Sequence, residues 1–150
     1  MKLVSLLTLT FSVLTGYAQE SPYSKFGKIT VADLQKKVYS IDSGAKAVVL
    51  SDIGEIAIQG NSKGWFSALI TRHRVVHILN KNGYDMADIS IPLYNDKDDE
   101  ERLDYVKAVS YNLENGKIVE TKLDKNTIFK EKESKNLSYK KFTMPAVKEG

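Results

Sequence analysis

The stretch Val109-Ser110-Tyr111-Asn112-Leu113-Glu114-Asn115-Gly116-Lys117-Ile118-Val119 decides the fold class. Val109, Tyr111 and Leu113 alternate with Ser110 and Asn112, the period of two that turns one face of a strand to a core and the other to water. Asn115-Gly116 then supplies two residues that tolerate positive φ, which a tight hairpin turn requires, before Lys117-Ile118-Val119 begins the return strand. An antiparallel hairpin is expected here.

Upstream the same texture recurs. Ala87, Ile89, Ile91 and Leu93 are apolar with Asp88 and Ser90 between them, and Asn82-Gly83 introduces this strand as a turn. Trp65 to Asn80 reads as one long strand: Thr71, Val75, Val76 and Ile78 are β-branched and lose side-chain freedom in a helix. Ala47-Val48-Val49-Leu50 and Glu55-Ile56-Ala57-Ile58 flank Asp52-Ile53-Gly54, whose composition predicts a turn and hence a further hairpin. Thr30-Val31-Ala32-Asp33 resembles a helix start in which Thr30 caps backbone N–H groups and Asp33 completes a capping box, with the helix running to about Tyr39. Short strands with tight turns, and little helix after residue 40, predict a mostly β domain over 28–150, an antiparallel β-sandwich with a short N-terminal helix and a lead-in at 19–27.

The first eighteen residues read as a signal peptide. Lys2 gives a basic start, Leu3 to Leu14 an apolar run, and Gly16-Tyr17-Ala18 places small residues three and one before a cut after Ala18. A run of about twelve is short of the roughly 20 residues that cross a bilayer, so no membrane span is expected. The chain has 22 basic and 19 acidic side chains, and loss of Lys2 leaves an excess of only two, far from a nucleic-acid footprint. With no cysteine, a thiol nucleophile, a disulfide framework and a cysteine zinc site are all excluded. Export to the periplasm or beyond is expected.

Candidate chemistry is sparse. His73 and His77 are four apart, which places them about 6 Å apart on one helix face but about 13 Å apart along a strand. On the strand reading they are two partly exposed side chains and no metal site; no Glu follows His73, so the zinc-protease motif is absent. Asp96, Asp98, Asp99, Glu100 and Glu101 form a dense acidic run, but an EF-hand counted from Asp96 would need Gly and Glu where Glu101 and Lys107 stand, so a solvated loop is expected. No Gly-x-Ser-x-Gly elbow and no glycine-rich phosphate cradle occur, and no cofactor is implied. Trp65 with Phe66, and Tyr139 with Phe142, are read as core packing, an aromatic platform for sugar or peptide being the alternative. From Lys117 onward nine lysines mix with five acids, a pattern that protects a sheet edge.

Phe26-Gly27-Lys28-Ile29-Thr30-Val31-Ala32-Asp33-Leu34, then Tyr39-Ser40-Ile41-Asp42 with Ala45, Ala47, Val48, Val49 and Leu50, resembles the opening of the N-terminal domain of unknown function in exported transglutaminase-like proteins of Gram-negative bacteria. Arg74-Val75-Val76-His77-Ile78-Leu79-Asn80 before Gly83, and Phe142-Thr143-Met144-Pro145-Ala146-Val147-Lys148-Glu149-Gly150, are similar to later blocks of that family, so the likeness covers nearly all of residues 25–150. The resemblance implies a mostly antiparallel β-sandwich, usually followed by a papain-like domain carrying Cys, His and Asp. No catalytic residue carries over, because a thiolate nucleophile has no position to occupy. Family members continue past the equivalent of Gly150 with another strand, so the chain is expected to be the front of a longer protein, poorly soluble alone. The expected function is a non-catalytic exported accessory or interaction module preceding a transglutaminase-like domain. The alternative is a stand-alone envelope protein binding glycan or peptide through Trp65, Tyr84 or Tyr94.

Overall fold

A computed structural model describes residues 22–96 and 99–149. The expected signal peptide lies outside the described residues. In chain order the elements are helix α1 (Val31–Gln35) and strands β1 (Ala47–Gly60), β2 (Phe66–Ile78), β3 (Asp88–Asp96), β4 (Asp99–Glu100), β5 (Val109–Glu114), β6 (Lys117–Lys122), β7 (Phe129–Lys132) and β8 (Leu137–Thr143), with short 3₁₀ turns at Lys81–Ala87 and Lys125–Thr127. The protein is mostly β, and every strand pairing is antiparallel. The strands form a β1–β2 hairpin, a four-stranded sheet in the order β4-β3-β8-β7, and a β5–β6 hairpin.

The β5–β6 hairpin turns at Asn115 and Gly116, which have φ of 50° and 76°, the left-handed conformation that Asn and Gly adopt at least cost. The capping box forms as expected: the Asp33 N–H donates to Thr30 Oγ1 and the Thr30 N–H donates to Asp33 Oδ2 at 2.8 Å. The helix nonetheless ends at Gln35, not near Tyr39. Lys36 is extended, and no basic residue occupies the last turn to stabilise its carbonyl end.

One expected turn is corrected. Asp52, Ile53 and Gly54 do not reverse the chain but pair in register with Arg74, His73 and Arg72 inside one continuous β1. The Asp52 carboxylate accepts from Arg72 Nε at 2.7 Å, a charge-assisted bond that holds the supposed turn residue in the ladder. The reversal comes at Asn61–Trp65, where Asn61 Oδ1 accepts from both the Lys63 and Trp65 N–H groups. Asn82-Gly83 introduces β3 as a turn, as expected, within the 3₁₀ segment Lys81–Ala87, with β2 and β3 in different sheets. Asn80 caps a 3₁₀ turn through the Asn82 N–H, and Gly83 packs so closely that a Cβ there would lie 2.5 Å from the Lys46 carbonyl oxygen.

The acidic run is also more ordered than a loop. Asp99 and Glu100 return on Asp96 and Asn95 as a short ribbon, Glu101 accepts from the Tyr94 N–H at 2.8 Å, and Glu100 pairs with Lys130. At the other side of this sheet the Lys-rich β7 is an edge strand, and Glu131 on it pairs with Lys141 of β8. Mixed charge there discourages pairing with other chains.

The core is small. Among the described residues only Ala87, Leu93 and Phe142 are buried apolar side chains, all in or beside the β3–β8 pair. The described sheets are antiparallel, as expected, and these few buried apolar side chains do not establish a second face packed over the first.

Candidate functional site

The side chains that would be expected to fill a core instead surround a cavity of about 420 Å³. It is lined from β1 and β2, the lead-in around Phe26, α1, the 3₁₀ turn before β3, β3, β5 and the segment after β8. Leu50, Val76, Met86, Ile89, Leu113 and Val147 line it, and all are half-buried. Cavities of this size with apolar walls are where small ligands or inserted side chains bind.

A polar network holds the N-terminal segment against one wall. Tyr23 Oη donates to Asp33 Oδ1 at 2.6 Å, while Asp33 Oδ2 accepts from the backbone N–H and hydroxyl of Thr30. Burial alone would raise the Asp33 carboxyl; the bonds from Tyr23 and Thr30 outweigh it and hold the group below its ordinary range. The same bond raises the Tyr23 phenol to about 12. Farther along, the Tyr39 hydroxyl lies 3.0 Å from His77 Nδ1, and their rings meet edge to face. Phe26 stacks at a tilt 5.8 Å from the His73 ring, with the Lys107 ammonium 4.1 Å above the Phe26 face.

Both histidines lie on β2, as the strand reading required, and both line the cavity. His77, however, is buried, only 7% exposed, and not partly open as expected. Val48 stands opposite it in the ladder, and the Tyr39 ring meets it edge to face. Burial, with Lys37 adding to it, pushes His77 below the usual imidazole value, against a smaller opposing pull from Asp33. His77 Nε2 and His73 Nδ1 have no hydrogen-bond partner among the described residues. No group of three or more His, Asp or Glu among the described residues is placed to hold a metal.

The aromatic residues fall elsewhere. Trp65 and Phe66, expected in a core, are 74% and 79% exposed at the tip of the β1–β2 hairpin, because no element packs over that end. Phe142 is buried as expected. Tyr84 and Tyr94 are exposed as well, on the 3₁₀ turn and on β3. Trp65, Tyr84 and Tyr94 thus sit on three separate elements, and no ring contact joins them among the described residues.

From Asp52 to Gly60 and from Phe66 to Arg72, every residue of the β1–β2 hairpin is exposed. Directly opposed pairs share a face. Ile56 with Ile70, Ile58 with Ala68, and Gly60 with Phe66 therefore form one apolar stripe along this arm, bounded below by Asp52 with Arg72 and Arg74. Sequence reasoning missed this arm, because the Asp-Ile-Gly triplet divided it in two.

No protein-family model matches the chain, and neither a curated protein nor a solved structure matches it. No helix among the described residues is long and apolar enough to cross a membrane.

Proposed function

We propose that this chain is a non-catalytic, exported interaction module whose apolar surfaces are completed by another polypeptide, the downstream transglutaminase-like domain of a parent protein in the first instance. One observation carries the reading. Ile56, Ile58, Phe66 and Ile70 are each about two-thirds exposed or more, on an arm that has no third strand among the described residues. An isolated two-stranded hairpin is marginal in water, and an apolar stripe of this kind marks an interaction surface. With a partner in place, the hairpins and the four-stranded sheet close into the sandwich that the sequence suggests. The family resemblance supplies the partner's class and the export.

The test has two parts. Purified protein offered panels of peptides, esters and glycosides is expected to show no turnover, and robust turnover abolished by a single substitution overturns the reading. The reading frame beyond codon 150 tests the partner: Cys, His and Asp in order support a downstream transglutaminase-like domain, and an immediate stop favours the second reading. That second reading, a stand-alone envelope protein binding glycan or peptide, draws on the exposure of Trp65, which leaves its indole ring open for stacking.

A further inference from the structure

The walls of the cavity have an unusual property. Arg74, Val75, Val76, His77 and Ile78 of β2 line it consecutively, and so do Val109, Ser110, Tyr111, Asn112 and Leu113 of β5. A strand that presents a face contributes alternate residues, since its neighbours point to the other side. Consecutive residues line a space when the strand presents its edge. Neither strand has a second strand partner among the described residues: β2 pairs with β1, and β5 with β6. Outside their own hairpins, none of these ten residues makes a backbone-to-backbone hydrogen bond among the described residues. The cavity is therefore bordered on two sides by unpaired peptide groups, which seek partners wherever water is excluded.

We propose that the gap between β2 and β5 is a strand-addition site, taking an extended peptide segment that alternates apolar and acidic residues. The inference rests on the interaction-module reading and names the chemistry of its partner. Five residues of edge, roughly 17 Å, match the length of an ordinary strand. Inserted side chains on one face of the segment enter the cavity beside Leu50, Val76, Ile89 and Leu113, whose half-burial then becomes full. The acidic requirement comes from charge. Lys25, Lys28 and Lys37 line the same space and are exposed, whereas of its two lining carboxylates Asp33 is already held by Tyr23 and Thr30, leaving Glu149 against three lysines. A hydrocarbon chain would fill the volume but would leave both rows of peptide groups unpaired. A peptide satisfies both requirements at once.

The experiment titrates the full chain with a nine-residue synthetic peptide alternating Val and Glu, and reads amide hydrogen exchange residue by residue. Exchange at Arg74–Ile78 and Val109–Leu113 is expected to slow at least tenfold. A peptide N-methylated at alternate amides, which loses donors but keeps its side chains, is expected to bind at least tenfold more weakly, as is a Val/Lys peptide. Equal binding of the N-methylated peptide, protection of the β1–β2 arm only, or protection by dodecanoate and not by peptide overturns the site. Those outcomes leave the module reading standing. Turnover in the substrate panels removes the module reading itself, whatever the peptide does.

Discussion

The Tyr39 hydroxyl lies 3.0 Å from Nδ1 of His77, joining the segment before β1 to the middle of the molecule across 38 residues of chain. The bond fastens one side of an imidazole that burial keeps below its ordinary protonation range. Folding therefore favours the neutral ring. The unfolded chain takes up the proton first on acidification, so stability is full above about pH 6.5 and falls as the pH drops below that value toward the depressed native one. Denaturant midpoints measured from pH 7.5 down to 5 are expected to decline, and His77→Phe is expected to lack that part of the decline. An unchanged slope in the variant sinks this assignment.

Asp33 is the second fastening. Its hydrogen bond is the leading cause of the rise of the Tyr23 phenol to about 12, with burial and the carboxylate's charge adding to it. Asp33→Asn removes the charge, and the Tyr23 phenol is expected to return toward the ordinary value of about 10. A difference titration of the tyrosinate absorbance against Tyr23→Phe reads this directly.

The helix cap predicts a loss of different origin. Thr30→Ala removes both the acceptor for the Asp33 N–H and a donor to its carboxylate, and caps of this kind contribute about 1 kcal/mol. Unfolding in urea should show that loss at neutral pH, with the slope of the transition unchanged. Thr30→Ser retains the hydroxyl and should recover most of it.

Gly83 is constrained by proximity. A methyl group placed there meets the Lys46 carbonyl oxygen at 2.5 Å and its carbon at 3.0 Å, both of them backbone atoms that cannot swing aside. Gly83→Ala is expected to cost about 1–3 kcal/mol, the range for overpacking a fixed site. Gly54→Ala, with nothing within 4 Å of the added group, is the control and should shift the unfolding midpoint little.

The arm predicts an effect on association and not on folding. Ile56→Thr with Ile70→Thr keeps β-branched residues at an opposed, exposed pair, so the unfolding free energy should change by less than about 1 kcal/mol. Sedimentation at rising concentration should show less self-association than in the parent chain. A double variant that associates as strongly as the parent shows that the stripe is not the adhesive surface.

Local chemistry was legible wherever it was self-contained. Asn115-Gly116 carries its own turn, and Thr30 with Asp33 carries its own cap, so both appear where the residues placed them. The alternation from Ile89 to Leu93 also held. Tertiary pairing overrode the reading elsewhere. Asp52 looked like a turn residue until Arg72, twenty positions away, supplied a partner for it in the ladder. Val49 pairs with Val76 but Ser51 with Val75, so Leu50 is an extra residue that reverses which parity faces which side. An apolar run crossing such a bulge shows no period of two. The cavity was illegible for a similar reason: β2 and β5, which both line it, are more than thirty residues apart.

β2 runs unbroken from Phe66 at the bare tip of the arm to His77 beside the hollow. Eleven residues of extended chain span roughly 35 Å, more than the diameter of many small domains. One ribbon thus carries its barest aromatic residue and its most enclosed imidazole at opposite ends.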